Sequence, residues 1–233
     1  MPKPVAVVVG VGPGLGMSLA RRFARGGMEV VACARNPAKV EALARDIPGV
    51  RLEACDATKP ADVARVFAQV GKTHGAPALV AFNAGAYERG GILEIKPEDF
   101  ERCWRVGCFG GFLVGQAAAR LMAEKAEGTI LFTGATASLR GGAGFANLAV
   151  PKFGLRALAQ SMARELGPRG IHVAHVIIDG QIASDSRRDM AAQRGPLSLL
   201  SPDSIAETYW QLHAQPRDAW THELDLRPWV EKF

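Results

Sequence analysis

Three glycines, Gly10, Gly14 and Gly16, stand in a GxxxGxG pattern directly behind the apolar run Val5–Val9, four of whose five residues are valine. From Met17 to Arg25 apolar side chains recur with helical spacing, at Leu19, Ala20 and Phe23. A buried strand, a glycine loop and the first turn of a helix aim backbone N–H groups and the positive end of a helix dipole at one point, which is the chemistry of phosphate binding. A GxGxxG reading fails, because its third glycine would fall at Leu15 or Met17. Other reactive side chains are sparse. Cys33, Cys55, Cys103 and Cys108 have neither CxxC spacing nor a disulfide framework, and no metal site is expected. Cys33 and Cys55 sit in apolar runs, where a free thiol acts as a small buried hydrophobe. His172 and His175 point to opposite sides of a strand-like run and read as satisfied core histidines.

The elements that must position these groups alternate along the chain. Met28–Ala34 reads as a strand, and Asn36-Pro37 as a cap opening a helix that ends before Pro48-Gly49. Val50–Cys55 is a third strand, followed by a helix over Pro60–His74 with Val63, Val66, Phe67 and Val70 on one face. Ala78–Phe82 is a fourth strand, and a long helix runs from Pro97 to about Lys125. Thr129–Thr133, a helix from about Asn147 to Leu166, the strand Ile171–Ile178, a helix near Pro202–Ala214 and a strand around His222–Leu226 complete the series. Strands alternating with helices imply right-handed crossovers, hence an α/β fold with a doubly wound parallel sheet and helices on both faces. Gly107, Gly110, Gly111 and Gly115 lie mostly on one face of the long helix, each at a cost of about 1 kcal/mol, which a close approach by another helix or a ligand would justify.

The chain resembles the short-chain dehydrogenase/reductases over essentially its whole length. The resemblance rests on the glycine loop, Asp56, Asn83-Ala84-Gly85, the strand–loop–helix ending in Lys152, and the run Arg164–Val173. It implies a single Rossmann-type domain spanning 1–233 and a nicotinamide dinucleotide held by Gly10, Gly14, Leu15, Gly16, Asp56, Asn83, Ala84, Gly85, Lys152 and Ile182. On its own, Asp56 reads as a turn residue and Asn83-Ala84-Gly85 as a sharp strand end. An acidic residue at the end of the second strand would accept the ribose 2′-hydroxyl of NAD, whereas arginine suits the 2′-phosphate of NADP. Arg35 stands there, and no carboxylate follows until Glu41, so NADP(H) is the expected cofactor.

The resemblance also exposes a departure. The family uses a Tyr-x-x-x-Lys helix, a serine thirteen residues before the tyrosine, and an asparagine in the long helix. Counting back from Lys152 puts Leu148 at the tyrosine and Ala135 at the serine; matching the long helix puts Gly107 at the asparagine. Of these four positions, Lys152 alone is kept. Thr136 and Ser138 flank Ala135 and could hold a carbonyl, but an alkyl alcohol does not replace a phenol as acid. Asp179 is the alternative acid, with a turn or cap role as its plainer reading. Tyr87 and Tyr209, the two tyrosines of the chain, lie far from Lys152 in sequence. Two readings stay open: an NADP-dependent oxidoreductase acting on an unidentified carbonyl or alcohol through a non-standard site, and a non-catalytic NADP(H)-binding sensor or scaffold. The segment Asp185–Ser201, with Pro196, Leu197, Leu199 and Leu200, is expected to line the pocket.

Composition limits the partners. The net charge of +5 is scattered, without the basic stripe and interleaved aromatics of a nucleic-acid binder. The opening MPKP lacks an apolar leader and no segment approaches an unbroken membrane span, so a cytoplasmic protein without a membrane partner is expected. Relatives associate through the fourth and fifth helices. The glycine face of the fourth, with Phe153, Leu155, Leu158 and Met162 of the fifth, implies a homodimer or homotetramer.

Overall fold

The five residues of β1 (Val5–Val9) are all buried and divide between two cores, Val5, Val7 and Val9 entering one and Ala6 and Val8 the other. A strand covered on both faces has to be apolar throughout, which explains the unbroken run of valines and alanine. In this computed structural model, which describes residues 3–231, β2 (Glu29–Ala34), β3 (Val50–Ala54), β4 (Leu79–Phe82), β5 (Gly128–Thr133), β6 (Ile171–Ile178) and β7 (Glu223–Leu226) join β1 in one sheet. Met1, Pro2, Lys232 and Phe233, the ends of the expected domain 1–233, lie outside the described residues. The strand order is β3-β2-β1-β4-β5-β6-β7 and every neighbouring pair is parallel, the doubly wound α/β arrangement expected. The winding reverses between β1 and β4, and open parallel sheets bind ligands beyond the carboxyl ends of their strands at such a reversal.

The connections carry α1 (Leu15–Arg25), α2 (Glu41–Ala44), α3 (Pro60–His74), α4 (Pro97–Trp104), α5 (Gly110–Ala123), α6 (Ala146–Leu166), α7 (Arg188–Arg194) and α8 (Pro202–His213). α1 and α8 cover one core with Leu19, Phe23, Tyr209 and Leu212; α3, α5 and α6 cover the other with Phe67, Val114 and Leu155.

Three expectations are corrected. The helix opened by Asn36-Pro37 is a 3₁₀ turn, Pro37–Lys39, followed by the four-residue α2. Val40 separates them, because its side chain enters the core and its φ of −122° leaves the helical region. The long helix ends at Ala123 and is interrupted by a π turn, Arg105–Phe109, that contains Gly107. The whole Pro97–Ala123 run has 27 residues and is long and apolar enough, by length and composition, to cross a membrane, contrary to the expectation of no such segment. Its glycine side is nonetheless packed within the protein. A Cβ on Gly111 would stand 2.4 Å from Leu155 Cδ1, so glycine there lets α5 lie against α6.

Candidate active site

At the carboxyl end of β1 the chain turns through Gly10, whose φ of +93° favours glycine. A Cβ there would stand 2.4 Å from the Ala84 backbone nitrogen, and one on Gly16 would stand 2.6 Å from the Gly10 carbonyl oxygen. The loop is thus tight against β4 and bare at Gly12 and Gly14, where an added Cβ would meet nothing within 4 Å. Gly14 immediately precedes α1, whose first turn carries no acidic side chain. Asn83 locks the loop from the β4 side. Its Nδ2 donates to the Gly10 carbonyl at 3.1 Å and its backbone N–H to that of Val9 at 2.8 Å.

A cleft of about 210 Å³ opens beside this loop, bordered by Gly12, Arg35, Asp56, Asn83, Ala84 and Gly85. The Asp56 carboxylate accepts the N–H and the hydroxyl of Thr58 at 3.0 and 2.8 Å. Burial alone would raise this carboxyl; the two Thr58 donors, with Lys59 and Arg35, outweigh it and hold the group below its ordinary value. Arg35 is exposed and also borders a second hollow with Arg102 and Arg105.

The other half of the site lies beyond the ends of β5 and β6. Lys152 projects from α6 into a buried position, where its Nζ donates to the Thr133 carbonyl at 2.6 Å. Burial lowers its ammonium group from 10.5 to about 8. Ala135, Thr136 and Leu148, three positions assigned from the sequence, come together on the wall of a hollow of about 330 Å³ that Phe145, Ile178 and Gln181 also line. Gly107 sits elsewhere, in the π turn, where an added Cβ would stand 3.0 Å from Pro151 Cβ. Ser138 is fully buried behind the turn and does not border the hollow. The expectation that Asp185–Ser201 lines the pocket is not met for this hollow: none of its residues borders it, and Leu197 is 81% exposed. Ile182 pairs with Leu200 through an isolated parallel bridge.

Two polar chains fasten the turn Thr136–Ser138 to β6 and to the residues of and just after β7. In the first, Thr136 Oγ1 donates to Asp179 Oδ1 at 2.5 Å, while Arg227 Nη2 stands 3.0 Å from Asp179 Oδ2 and also grips Asp225. Asp179 is 5% exposed, so a buried carboxylate here meets two donors. In the second, Ser138 Oγ accepts the Ala135 N–H at 3.1 Å and lies 3.4 Å from His175 Nε2. His175 Nδ1 is 3.2 Å from Glu223, which Arg156 holds through two bonds of 2.7 Å. The Arg156 fork keeps the Glu223 carboxyl below its ordinary value. Burial pushes His175 from 6.5 down to about 4, against the pull of Glu223 and helped by Lys152 and Arg156.

Sequence reasoning missed Glu223, Asp225 and Arg227, although their alternation along the last strand was a visible sign that one face meets charge. The tyrosines also prove closer in space than in sequence. Tyr209 OH lies 2.7 Å from Thr133 Oγ1, beside the carbonyl that holds Lys152, and burial raises its phenol well above the ordinary value. Tyr87 stacks on Phe145 with ring centres 5.3 Å apart at the edge of the hollow. His172 and His175 are both buried, but only His175 has a partner at each ring nitrogen. His172 Nε2 lies 2.8 Å from the Thr221 carbonyl and its Nδ1 has no hydrogen-bond partner among the described residues, so it is not the satisfied core histidine expected; its ring stacks on Trp220 at 4.9 Å.

Comparison with known proteins places this geometry. A family model described as short chain dehydrogenase matches residues 4–195. A (21S)-21-acetoxyl-apo-melianone synthase SDR of Melia azedarach is 34% identical over 217 residues, covering 87% of this chain and 79% of that protein. A 3-oxoacyl-[acyl-carrier-protein] reductase of Homo sapiens is 29% identical over 187 residues, covering 80% and 78%. A crystal structure of a short-chain dehydrogenase from Rhodopseudomonas palustris is 39% identical and superposes with a TM-score of 0.85 over 98% of this chain and 100% of that one. A metagenomic short-chain oxidoreductase in complex with NADP is 27% identical, with a TM-score of 0.84 over 98% of each chain.

Proposed function

The chain belongs to the short-chain dehydrogenase/reductase family and is an oxidoreductase of that type; we propose that it uses NADP(H) to interconvert a carbonyl and an alcohol through a non-standard site. The dinucleotide fits the cleft on the chain's own geometry. Gly10 and Gly16 leave no room for a Cβ, Gly12 and Gly14 leave their side of the loop bare, and the start of α1 adds no opposing charge. Gly10, Gly14, Leu15 and Gly16 would hold the pyrophosphate, Asp56 and Asn83-Ala84-Gly85 would border the adenosine side, and Ile182 with Lys152 the nicotinamide side. Arg35 supplies a fork for a 2′-phosphate at the end of β2. When bound, the group carries the hydride.

The observation that carries the reading is the meeting of Ala135, Thr136 and Leu148 in one hollow, with the buried Lys152 on the same helix as Leu148. Leu148, Ala135 and Gly107 stand where the family has its tyrosine, serine and asparagine, so acid assistance comes from elsewhere. Thr136 is the hydroxyl on the wall of the hollow. Its own proton is directed to Asp179 Oδ1, which leaves its oxygen free to accept a hydrogen bond from a substrate hydroxyl. Lys152 keeps a positive or readily lost charge behind the site, with a pKa of about 8.

The test is titration with NADPH and NADH, followed by a carbonyl panel on wild type and on the Leu148→Tyr/Ala135→Ser variant after its melting has been checked. The variant puts a phenol one helical turn from Lys152. It should oxidise NADPH well above wild type, since a positioned acid contributes about 10²–10⁴ in rate. Absence of NADPH binding overturns the cofactor assignment. Normal folding and NADPH binding without turnover in either form favours the non-catalytic sensor.

A further inference from the structure

The hollow that carries Ala135, Thr136 and Leu148 is unevenly furnished. Phe145, Leu148 and Ile178 make it apolar, yet Arg140 also lines it, and no carboxylate does. Arg140 is exposed and, among the described residues, takes part in no ion pair and no side-chain hydrogen bond. Arg89, exposed and likewise without an ion pair or side-chain hydrogen bond among the described residues, lies over the Phe145 ring, its guanidinium 5.6 Å from the ring centre. Several other arginines of the neighbouring segments are engaged: Arg156 by Glu223, Arg227 by Asp179 and Asp225, Arg188 by Asp185, and Arg187 by the Ile182 carbonyl. One guanidinium without such a partner among the described residues, Arg140, thus lines the hollow, and a second, Arg89, rests on its Phe145 wall.

We propose that Arg140 is a specificity-determining residue and that the substrate is an amphiphilic carbonyl or alcohol bearing one anionic group, a carboxylate or a phosphate, at the end away from the reacting carbon. The inference rests on the functional reading above, which makes this hollow the substrate site. A guanidinium presents a planar fork that matches both anions, whereas a neutral ester or amide gains little from it. The apolar wall of Phe145, Leu148 and Ile178 takes the carbon body. At about 330 Å³ the hollow lies at the small end of the range for compact organic ligands, about 300–1,000 Å³. Arg89, over the Phe145 ring, adds positive charge next to that wall.

The experiment measures binding in place of turnover. Protein with and without saturating NADP⁺ is titrated by calorimetry with 4-formylbenzoate, with its methyl ester, and with 4-formylphenyl phosphate; the oxidised cofactor permits no hydride transfer to an aldehyde. An anionic probe should bind at least about tenfold more tightly than the ester to wild type. Arg140→Ala should abolish the preference while leaving the ester unchanged, Arg140→Lys should retain part of it, and Arg89→Ala should reduce it. The two anionic arms separate a carboxylate site from a phosphate site. Equal affinity for acid and ester, a preference that survives Arg140→Ala, or no binding of any probe up to about 10 mM overturns the proposal. Failure of NADP⁺ itself to bind appears in the cofactor titration and counts against the cofactor reading instead, and the arm without NADP⁺ still reports on Arg140.

Discussion

His175 makes stability depend on pH in a way that can be worked out from its surroundings. Its ring is fully buried between Ser138 and Glu223, with Lys152 and Arg156 adding positive charge nearby. Glu223 favours the charged ring, but its carboxylate is already gripped by the Arg156 fork, so burial wins and the folded protein binds this proton only near pH 4. The unfolded chain binds it near pH 6.5. Between those values the unfolded state holds more protons, so stability is intact above pH 6.5 and is lost as pH falls towards 4. The full window is worth about 3 kcal/mol, and the fall between about pH 7.5 and about pH 5 is about 2 kcal/mol. The assay is urea unfolding followed by tryptophan fluorescence across this range, on wild type and on His175→Gln. His172 and His213 are also lowered by burial and slope the same way, but they are common to both proteins. The wild-type curve should therefore fall more steeply than the variant's by about 2 kcal/mol at about pH 5. Parallel curves would refute the assignment of the slope to His175.

Three further outcomes are expected. Arg35→Ala should weaken NADPH binding by about 1.5–3 kcal/mol in calorimetry while leaving NADH unchanged, and equal wild-type affinities for the two would remove Arg35 from the role. Gly16→Ala puts a Cβ 2.6 Å from the Gly10 carbonyl oxygen, so the loop must shift; a stability loss of about 1–3 kcal/mol and weaker NADPH binding should follow, and an unchanged variant would show the loop to be slack. Trp104, Phe112, Val150 and Phe153 leave apolar surface exposed on α4, α5 and α6, so light scattering should report a homodimer or homotetramer; a 24.8 kDa particle at micromolar concentration sinks that expectation. Leu155, assigned to that surface from the sequence, is instead fully buried in the core against α5.

What was legible in the sequence was whatever has a local period or a local shape. The valine run of β1, the spaced apolar face of α3 and the mostly apolar β6 declared the layers because burial on two faces or one leaves a short-range pattern. The glycine loop and Lys152 were legible for the same reason, being fixed distances from the elements that carry them. Val40 was not, since a single residue pulled into a core breaks a helix without altering composition. The π turn at Arg105–Phe109 has no period of its own to read. The partners of Asp179 and His175 were hidden by distance along the chain, because Arg227 and Glu223 meet them only once β7 has been laid beside β6.

That last pairing has a consequence for the order in which the molecule is made. Synthesis runs from the amino end, so the segments of this one folding unit become available in chain order. The contacts that lock the glycine loop come from Asn83 and Ala84, and Val106 is the last residue in the chain to line its cleft. The turn at Thr136–Ser138 must wait through α6, β6 and α8 for Glu223 and Arg227. The residues that border the nucleotide cleft are therefore all made well before Glu223 and Arg227, which hold the reactive turn. Early occupancy of that cleft would draw folding forward by mass action, since a ligand that binds the folded part stabilises it. The last strand then closes the site from behind.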